Sequence, residues 1–133
     1  MRLLGIDYGD VRIGLALSDP LGLTAQPVGT IQNSPMAIQE IITIIKEKKV
    51  TKVIIGLPKN QHGDDSKKAA DVRKFANDLI QVFPIELEYV DERFSTKAAQ
   101  RQLIQMDVNR KHKKKIIDTQ AAMFILQGVL DRS

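Results

Sequence analysis

The sequence predicts an α/β fold, in which a mixed five-stranded sheet is flanked by helices. Three observations carry this prediction. Short apolar runs separated by turn residues fill the first third of the chain, and β-branched runs alternate with helical apolar spacing in the remainder. The length of 133 residues suffices for one hydrophobic core but not for two of ordinary size. We therefore expect residues 1–133 to form a single domain, with three antiparallel N-terminal strands and two parallel ones.

The first third of the chain predicts an antiparallel meander. Leu3 to Asp7 and Arg12 to Ser18 are apolar runs of strand length, and Tyr8-Gly9-Asp10 between them supplies turn residues. The turn signals Gly22 and Pro27 bracket a third short strand, which reaches about Ile31. Strands joined by such short connections usually pair with their neighbours in the chain.

Helices and strands alternate after the meander. Asn33-Ser34-Pro35 is a helix-start signal, and the β-branched run from Lys52 to Leu57 is typical of a buried strand. Ser66 can cap a second helix, which ends at Pro84, before a strand from Ile85 to Val90. The apolar stripes of these two helices are Ile38, Ile41, Ile42 and Ile45, and then Val72, Ala76, Leu79 and Phe83.

Two more helices are expected near the end of the chain. Ser95 or Thr96 caps the first, which reaches about Met106. A basic stretch from Arg110 to Lys115 follows, and the last helix is expected from about Ile116 to Leu130.

Composition limits the classes of function. The chain has no cysteine, which excludes disulfides and thiolate metal sites, and its two histidines argue against a histidine-based zinc site. A net charge of +4 favours a polyanionic partner. The longest apolar runs fall far short of the roughly 20 residues that cross a bilayer, and we expect a cytoplasmic protein without membrane contact.

Asp7 is the first candidate for chemistry, because it ends an apolar strand that the neighbouring Leu4 and Ile6 suit to a central position. A buried carboxylate without a partner is costly, so we expect a cation, a metal ion or hydrogen-bond donors beside it. The alternative is an ordinary aspartate in a turn at the end of a strand.

Glu92 follows the predicted strand that ends at Val90, at the carboxyl edge where open α/β sheets bind their ligands. The alternative for this residue is an exposed loop, in which Glu92 and Arg93 form a surface pair worth less than about 1 kcal/mol.

Asp118 is the third candidate. Ala121, Ala122 and Ile125 follow it at i+3, i+4 and i+7, which predicts that Asp118 lies on the apolar stripe facing the sheet. The alternative is an acid at the start of a helix, held there by the helix dipole.

Three acids from a strand, a strand-end loop and a helix are the ingredients of an oxygen-liganded Mg²⁺ or Mn²⁺ site. Such ions activate water and neutralise a scissile phosphate, so we predict that Asp7, Glu92 and Asp118 hold metal for phosphodiester hydrolysis. Basic residues near them can hold nucleic acid by its phosphates, although a basic run is often only a solvated loop. These are Arg12, Lys59, Arg93, Arg110, Lys111, Lys113 and Lys114. Six aromatic residues leave little material for base stacking.

The sequence resembles the YqgF/RuvX family almost from end to end. Four segments carry the resemblance: GIDYGDVRIGLALSD, IIGLPKNQHGDDS, VDERFST and KKIIDTQAAMFILQ. Members of this family are described as Holliday junction resolvases and as nucleases that mature small-subunit ribosomal RNA precursors. The resemblance implies an RNase H-like fold and metal-binding acids at Asp7, Glu92 and Asp118, and Asn60 and Arg93 match other motif positions. Pro58-Lys59-Asn60 stands where related resolvases carry an acid, so Glu92 must substitute and one or two metal ions remain possible.

Four functions therefore stay open. The first is a metal-dependent nuclease acting on structured nucleic acid, with a ribosomal RNA precursor as substrate. A Holliday junction resolvase needs a dimer with two sites, whereas we expect a monomer or a weak homodimer because no dimer surface is evident. A non-catalytic, ribosome-associated RNA-binding module is the third. GIDYG also resembles the phosphate loop of actin-like ATPases, but those enzymes close two such domains around a nucleotide and this chain supplies one.

Overall fold

The computed structural model describes residues 1–58, 67–91 and 110–132, with side chains described from residue 119 onward in the last range. The strands in these ranges are β1 (Leu3–Tyr8), β2 (Arg12–Ser18), β3 (Ala25–Gln32), β4 (Lys52–Leu57) and β5 (Glu86–Asp91). The helices are α1 (Ala37–Lys48), α2 (Lys67–Val82) and α3 (Arg110–Asp131).

The five strands form one mixed sheet in the order β3-β2-β1-β4-β5. The pairs β1·β2 and β2·β3 are antiparallel, whereas β1·β4 and β4·β5 are parallel. The predicted architecture is therefore confirmed, and β1 is the central strand. Pro27 and the left-handed Gly29 (φ 126°) both lie on β3, where the edge of a sheet tolerates a missing N–H.

Each face of the sheet carries its own hydrophobic core. One face packs Leu4 and Ile6 of β1 with the apolar stripes of α1 and α2. The other face packs Leu3 of β1 and Ala16 of β2 with α3. We call these the α1/α2 face and the α3 face. The stripes predicted for α1 and α2 are confirmed as core, with Ile38 and Phe83 partly buried at their ends.

Helix α3 lies directly on β1 at Gly5. A Cβ atom added to Gly5 would lie 2.9 Å from the carbonyl oxygen of Ala122 and 2.9 Å from the Cβ of Leu126. Both neighbours are fixed parts of the helix, so a side chain at this position would push α3 away from the sheet. The missing side chain at Gly5 therefore sets the distance between the helix and the central strand.

The start of α3 differs from its prediction. The helix begins at Arg110, six residues before the expected Ile116, so the alternative of a solvated loop from Arg110 to Lys115 is wrong. Lysine and arginine are good helix formers, and Asn109 is a favoured residue type just before a helix, so the sequence did carry this signal. At the end of β5, Asp91 belongs to the strand and not to the loop. The helix predicted up to Met106 and the Ser66 cap lie outside the described residues.

An ion-pair network joins β4, β5 and the end of α3. Lys52 Nζ donates to Glu88 Oε1 over 2.9 Å, and Arg132 donates to the other carboxylate oxygen of Glu88. The hydrogen bond from Arg132 and then that from Lys52 lower the pKa of Glu88 below its ordinary value of 4.5. The network therefore ties the C-terminal end of α3 to the sheet. Among the described helices, none is long and apolar enough to cross a membrane.

Replacing Gly5 by alanine should destabilise the fold by about 1–3 kcal/mol, because the added methyl group cannot fit beneath α3 without moving the helix. Urea unfolding followed by circular dichroism measures the effect. The matched control is Gly128→Ala on the exposed side of α3, where an added Cβ meets nothing within 4 Å. That variant should gain about 0.5–1 kcal/mol. Equal stability changes in the two variants would show that α3 does not approach β1 this closely.

Acid should weaken the fold in part through Glu88. Its pKa is lowered in the folded state, so its stabilising contribution is present above 4.5 and is lost as pH falls through the lower folded value. We expect Glu88→Gln to be less stable than the parent at pH 7, with the difference shrinking towards pH 3. Thermal unfolding over this pH range checks the trend, and Glu47→Gln on the exposed side of α1 is the control. A difference that is independent of pH would contradict this role.

Candidate metal and nucleic-acid site

The parallel strands β1, β4 and β5 end at one edge of the sheet. Ile6 is in register with Ile55, and Leu57 with Asp91, so the residues that follow these strands emerge side by side. The start of β2 belongs to the same edge, because Tyr8 pairs with Ile13. This carboxyl edge, where open α/β sheets bind ligands, contains Asp7.

Asp7 lies on the α3 face of the central strand and is partly exposed at its end. The alternation along β1 fixes this face, since Leu4 and Ile6 pack on the α1/α2 face and Leu3 on the other. The residue paired with Asp7 on β2 is Gly14, which brings no side chain beside the carboxylate. The Asp7 carboxyl group therefore stands on the face that α3 covers.

Helix α3 runs antiparallel to β1. Gln127 Oε1 of this helix accepts a hydrogen bond of 2.8 Å from the N–H of Ala25. Ala25 of β3 is paired with Ser18 of β2. Ser18 Oγ in turn accepts the N–H of Leu3, at the beginning of β1. Leu126, just before Gln127, and Ala122, one turn before Leu126, lie over Gly5. Moving backwards along α3 therefore means moving forwards along β1.

The antiparallel direction carries α3 towards Asp7 as it approaches Asp118. Asp118 precedes Ala122 by four residues, about 6 Å along a helix, and Leu126 by eight, about 12 Å. Asp7 follows Gly5 by two residues, which is about 6.6 Å along a strand on the same face. The displacements from the Gly5 contact point the same way, so we expect Asp118 at the end of the α3 face that contains Asp7. Ala121, Ala122 and Ile125, which predicted a sheet-facing position for Asp118, are all buried on the α3 face or its border.

The dipole alternative for Asp118 is not supported by the extent of α3. The helix begins at Arg110, so Asp118 is its ninth residue, about 12 Å from the first. The favourable interaction of an acid with the helix dipole fades within the first turn. A helix-start role therefore does not account for Asp118.

Glu92 lies outside the described residues, as do the side chain of Asp118 and the contacts of both. What precedes Glu92 is described: β5 ends at Asp91, and Val90 packs against the core of the α3 face. Within the described part of the chain, no three metal-ligating side chains form a group. Of the triad, the structure describes the side chain of Asp7 and the helical backbone at Asp118, and the metal site stays a prediction.

The turn between β1 and β2 is held by close contacts. A Cβ on Gly9 would lie 2.4 Å from the carbonyl oxygen of Arg12, so the turn admits no side chain there. Asn33 Nδ2 donates to the carbonyl oxygen of Gly9 over 2.7 Å, and the Asn33 N–H donates to Val11. These bonds fix the backbone directly after Asp7. In the sequence, Asn33 was predicted only as part of a helix-start signal.

The residues predicted to hold nucleic acid fall into three sets: one at the start of β2, one outside the described residues and one at the start of α3. Arg12 begins β2 at the carboxyl edge, on the α3 face by strand alternation, and Lys59, Asn60 and Arg93 lie outside the described residues. The backbone of Arg110, Lys111, Lys113 and Lys114 forms the first turns of α3. Because α3 is antiparallel to β1, these turns lie beyond the carboxyl edge, on the side of Asp7.

The sequence of this chain matches a known protein family. Residues 1–132 match the family described as "RuvX: Holliday junction resolvase". Relatives named "Putative pre-16S rRNA nuclease" include proteins of Clostridioides difficile and Desulfitobacterium hafniense. The first is 47% identical over 98% of this chain and 94% of the relative, and the second 43% identical over 98% and 92%.

Solved structures resemble the fold at low sequence identity. Thermus thermophilus RuvC, in a complex with a Holliday junction substrate, superposes with a TM-score of 0.62 at 12% identity and covers 99% of this chain and 94% of that one. The Fowlpox virus resolvase, in a complex with Holliday junction DNA, gives 0.61 at 10% identity and covers 99% and 98%. The predicted RNase H-like fold is thereby confirmed.

Proposed function

Because the chain belongs to the RuvX family, we propose that it is a nuclease whose divalent metal is held by Asp7, Glu92 and Asp118. The observation that supports this proposal is the antiparallel packing of α3 on β1 across the buried α3 face, which directs the part of α3 with Asp118 towards the end of β1 with Asp7. Glu92 is the residue that follows β5 at the same edge of the sheet.

The chemistry of these donors fits a hard cation. Mg²⁺ and Mn²⁺ prefer carboxylate oxygens, and the chain has no thiolate to compete with them. Three carboxylates close together would repel one another, and a divalent cation relieves that repulsion. When bound, such a cation would activate water and neutralise charge on the scissile phosphate. The three acids would hold the cation in place. The contact at Gly5 contributes by keeping α3, which contains Asp118, close to β1, which contains Asp7.

Basic residues at this edge would hold the substrate by its phosphates. Arg12 begins β2 on the α3 face, and the first turns of α3 carry the run Arg110 to Lys115. A helix N-terminus has a positive partial charge and this one has no acid in its first turn, so the basic side chains add to that charge. Such a segment favours a polyanion and gives no base readout.

The preferred substrate is a ribosomal RNA precursor, cleaved towards the 5′ end of pre-16S rRNA. The names of the relatives favour this choice. A branched DNA junction is the second candidate, favoured by the family description and by the likeness to junction resolvases. Junction resolution needs two sites in one symmetric dimer, so a strictly monomeric protein that leaves the junction uncut would exclude it.

Asp7→Asn should reduce cleavage at least 100-fold and leave nucleic-acid binding largely intact. Losing a residue that merely orients a metal ligand costs about 10–100-fold, and losing the ligand itself should cost no less. The assay incubates labelled precursor RNA, duplex DNA and a four-way junction in parallel with Mg²⁺ or Mn²⁺. Asp131→Asn, at the far end of α3, is the control and should cleave like the parent. Undiminished activity in Asp7→Asn would falsify the assigned site.

Divalent metal should also stabilise the fold, independently of cleavage. A ligand at 100 times its dissociation constant adds about 2.7 kcal/mol to a protein that binds it only when folded. We expect Mn²⁺ to raise the unfolding temperature of the parent and of Asp131→Asn, and to leave that of Asp7→Asn nearly unchanged. If metal neither stabilises the parent nor supports cleavage, the non-catalytic RNA-binding alternative takes precedence.

A further inference from the structure

A cavity of about 420 Å³ opens at the carboxyl edge on the α1/α2 face. Its walls come from the end of β1, the segment before α1 and one side of α2. Its lining includes Tyr8, Asn33, Asp71, Lys74, Phe75 and Asp78. A volume of this size falls within the roughly 300–1,000 Å³ of small-molecule sites. We refer to it as the edge cavity.

The edge cavity is adjacent to Asp7 but on the opposite face of the sheet. Tyr8 follows Asp7 in β1 and packs with the core of the α1/α2 face, so consecutive side chains point to the two sides of the strand end. A polynucleotide with one phosphate at Asp7 therefore passes within reach of the cavity. This inference rests on the proposed nuclease function for that placement.

The chemistry of the lining selects a base over a phosphate. Asp71, Lys74 and Asp78 lie on one side of α2, and they bring two carboxylates for one ammonium group. The three side chains are exposed and, within the described ranges, form no ion pair or hydrogen bond with another residue. An excess of acceptors repels a phosphate, whereas the N–H groups of a nucleobase can donate to carboxylates.

The apolar part of the lining suits a flat ring. Tyr8 and Phe75 contact each other, with ring centroids 4.8 Å apart and planes tilted by 43°. Phe75 is nearly buried and Tyr8 partly exposed, so Tyr8 offers the aromatic surface. Unpaired RNA bases are commonly held between such rings and polar groups that read the Watson–Crick edge. Although the chain has few aromatic residues, two of them meet here.

From these features we propose that the edge cavity binds one unstacked nucleobase of the substrate, with guanine as the best match. Guanine presents adjacent N–H donors, which the carboxylate of Asp78 can accept together, and beside them a carbonyl acceptor, which suits the ammonium group of Lys74 one helical turn away. Uracil offers a single ring N–H donor and no amino group. The enzyme therefore has a base preference next to its cleavage site.

The test is an NMR titration of the ¹⁵N-labelled full chain without divalent metal. GMP, UMP and inorganic phosphate are added separately. We expect GMP to shift the amide signals of Asn33, Lys74, Phe75 and Asp78 in a saturable way, and UMP to do so at least several-fold more weakly. Asp78→Asn should weaken GMP binding about tenfold, since it removes a charged acceptor. Glu47→Gln, which removes an exposed carboxylate of α1, should bind GMP like the parent.

Each other outcome overturns the proposal. Equal shifts with inorganic phosphate would make the cavity an anion site, equal shifts with UMP would remove the base preference, and an absence of shifts at these amides would leave no nucleotide site there. The readout needs neither metal nor cleavage. A failed nuclease assay with positive GMP binding therefore counts against the proposed activity alone, and the reverse result counts against the base site alone.

Discussion

The contact between Gly5 and α3 is the constraint on which the candidate site depends. A helix packed on a sheet is normally held away by the side chains between them, but here the backbone of Ala122 lies within 2.9 Å of where a Cβ would stand. This close approach fixes both the distance and the register of α3 over β1. Asp7 and Asp118 both lie beyond the contact in the same direction, so the constraint that packs the core also bears on the spacing that we propose for the two acids.

Charge is distributed unevenly around this contact. At the C-terminal end of α3, the Arg132–Glu88–Lys52 network ties the helix to β5 and β4. At the N-terminal end, a basic run extends the helix beyond the sheet without an acid in its first turn. Like charges at a positive helix end are unfavourable in isolation. A bound polyanion would relieve that cost, so the half of α3 that begins at the edge is suited to a ligand and the other half to stability.

Much of the fold could be predicted because its signals are local. Apolar runs and turn signals identified all five strands, although Pro27, interpreted as a turn signal, lies inside β3. Helical apolar spacing identified the stripes of α1 and α2, and the family resemblance is confirmed by the match over residues 1–132. Strand order could not be read, since hydrophobic pattern specifies which face is buried and not which strand lies next to it. The predicted start of α3 was wrong because the basic run was interpreted as a loop. Lysine favours helices, and Asn109 is a favoured residue type just before a helix.

The candidate site could be predicted less completely than the fold. A sheet-facing position for Asp118 follows from three residues that come after it, and Ala121, Ala122 and Ile125 are indeed buried. Its distance from Asp7 depends on Gly5, whose role requires knowing which helix turn lies above it. The edge cavity could not be predicted, because Tyr8, Asn33 and α2 meet only after the parallel β4 inserts beside β1.

The position of the cavity has a mechanical consequence for any strand of nucleic acid bound at Asp7. The hydrogen bond from Asn33 and the close contact at Gly9 hold the β1–β2 turn, and so position the backbone that carries Asp7 and Tyr8. A base held beside Tyr8 would therefore fix the position of its neighbouring phosphate relative to Asp7. Holding reacting groups in place is a large part of what an enzyme contributes to phosphodiester chemistry, where metal supplies the charge. Binding of a base beside Tyr8 would therefore also align the neighbouring phosphate at Asp7, because the two residues are consecutive in the central strand.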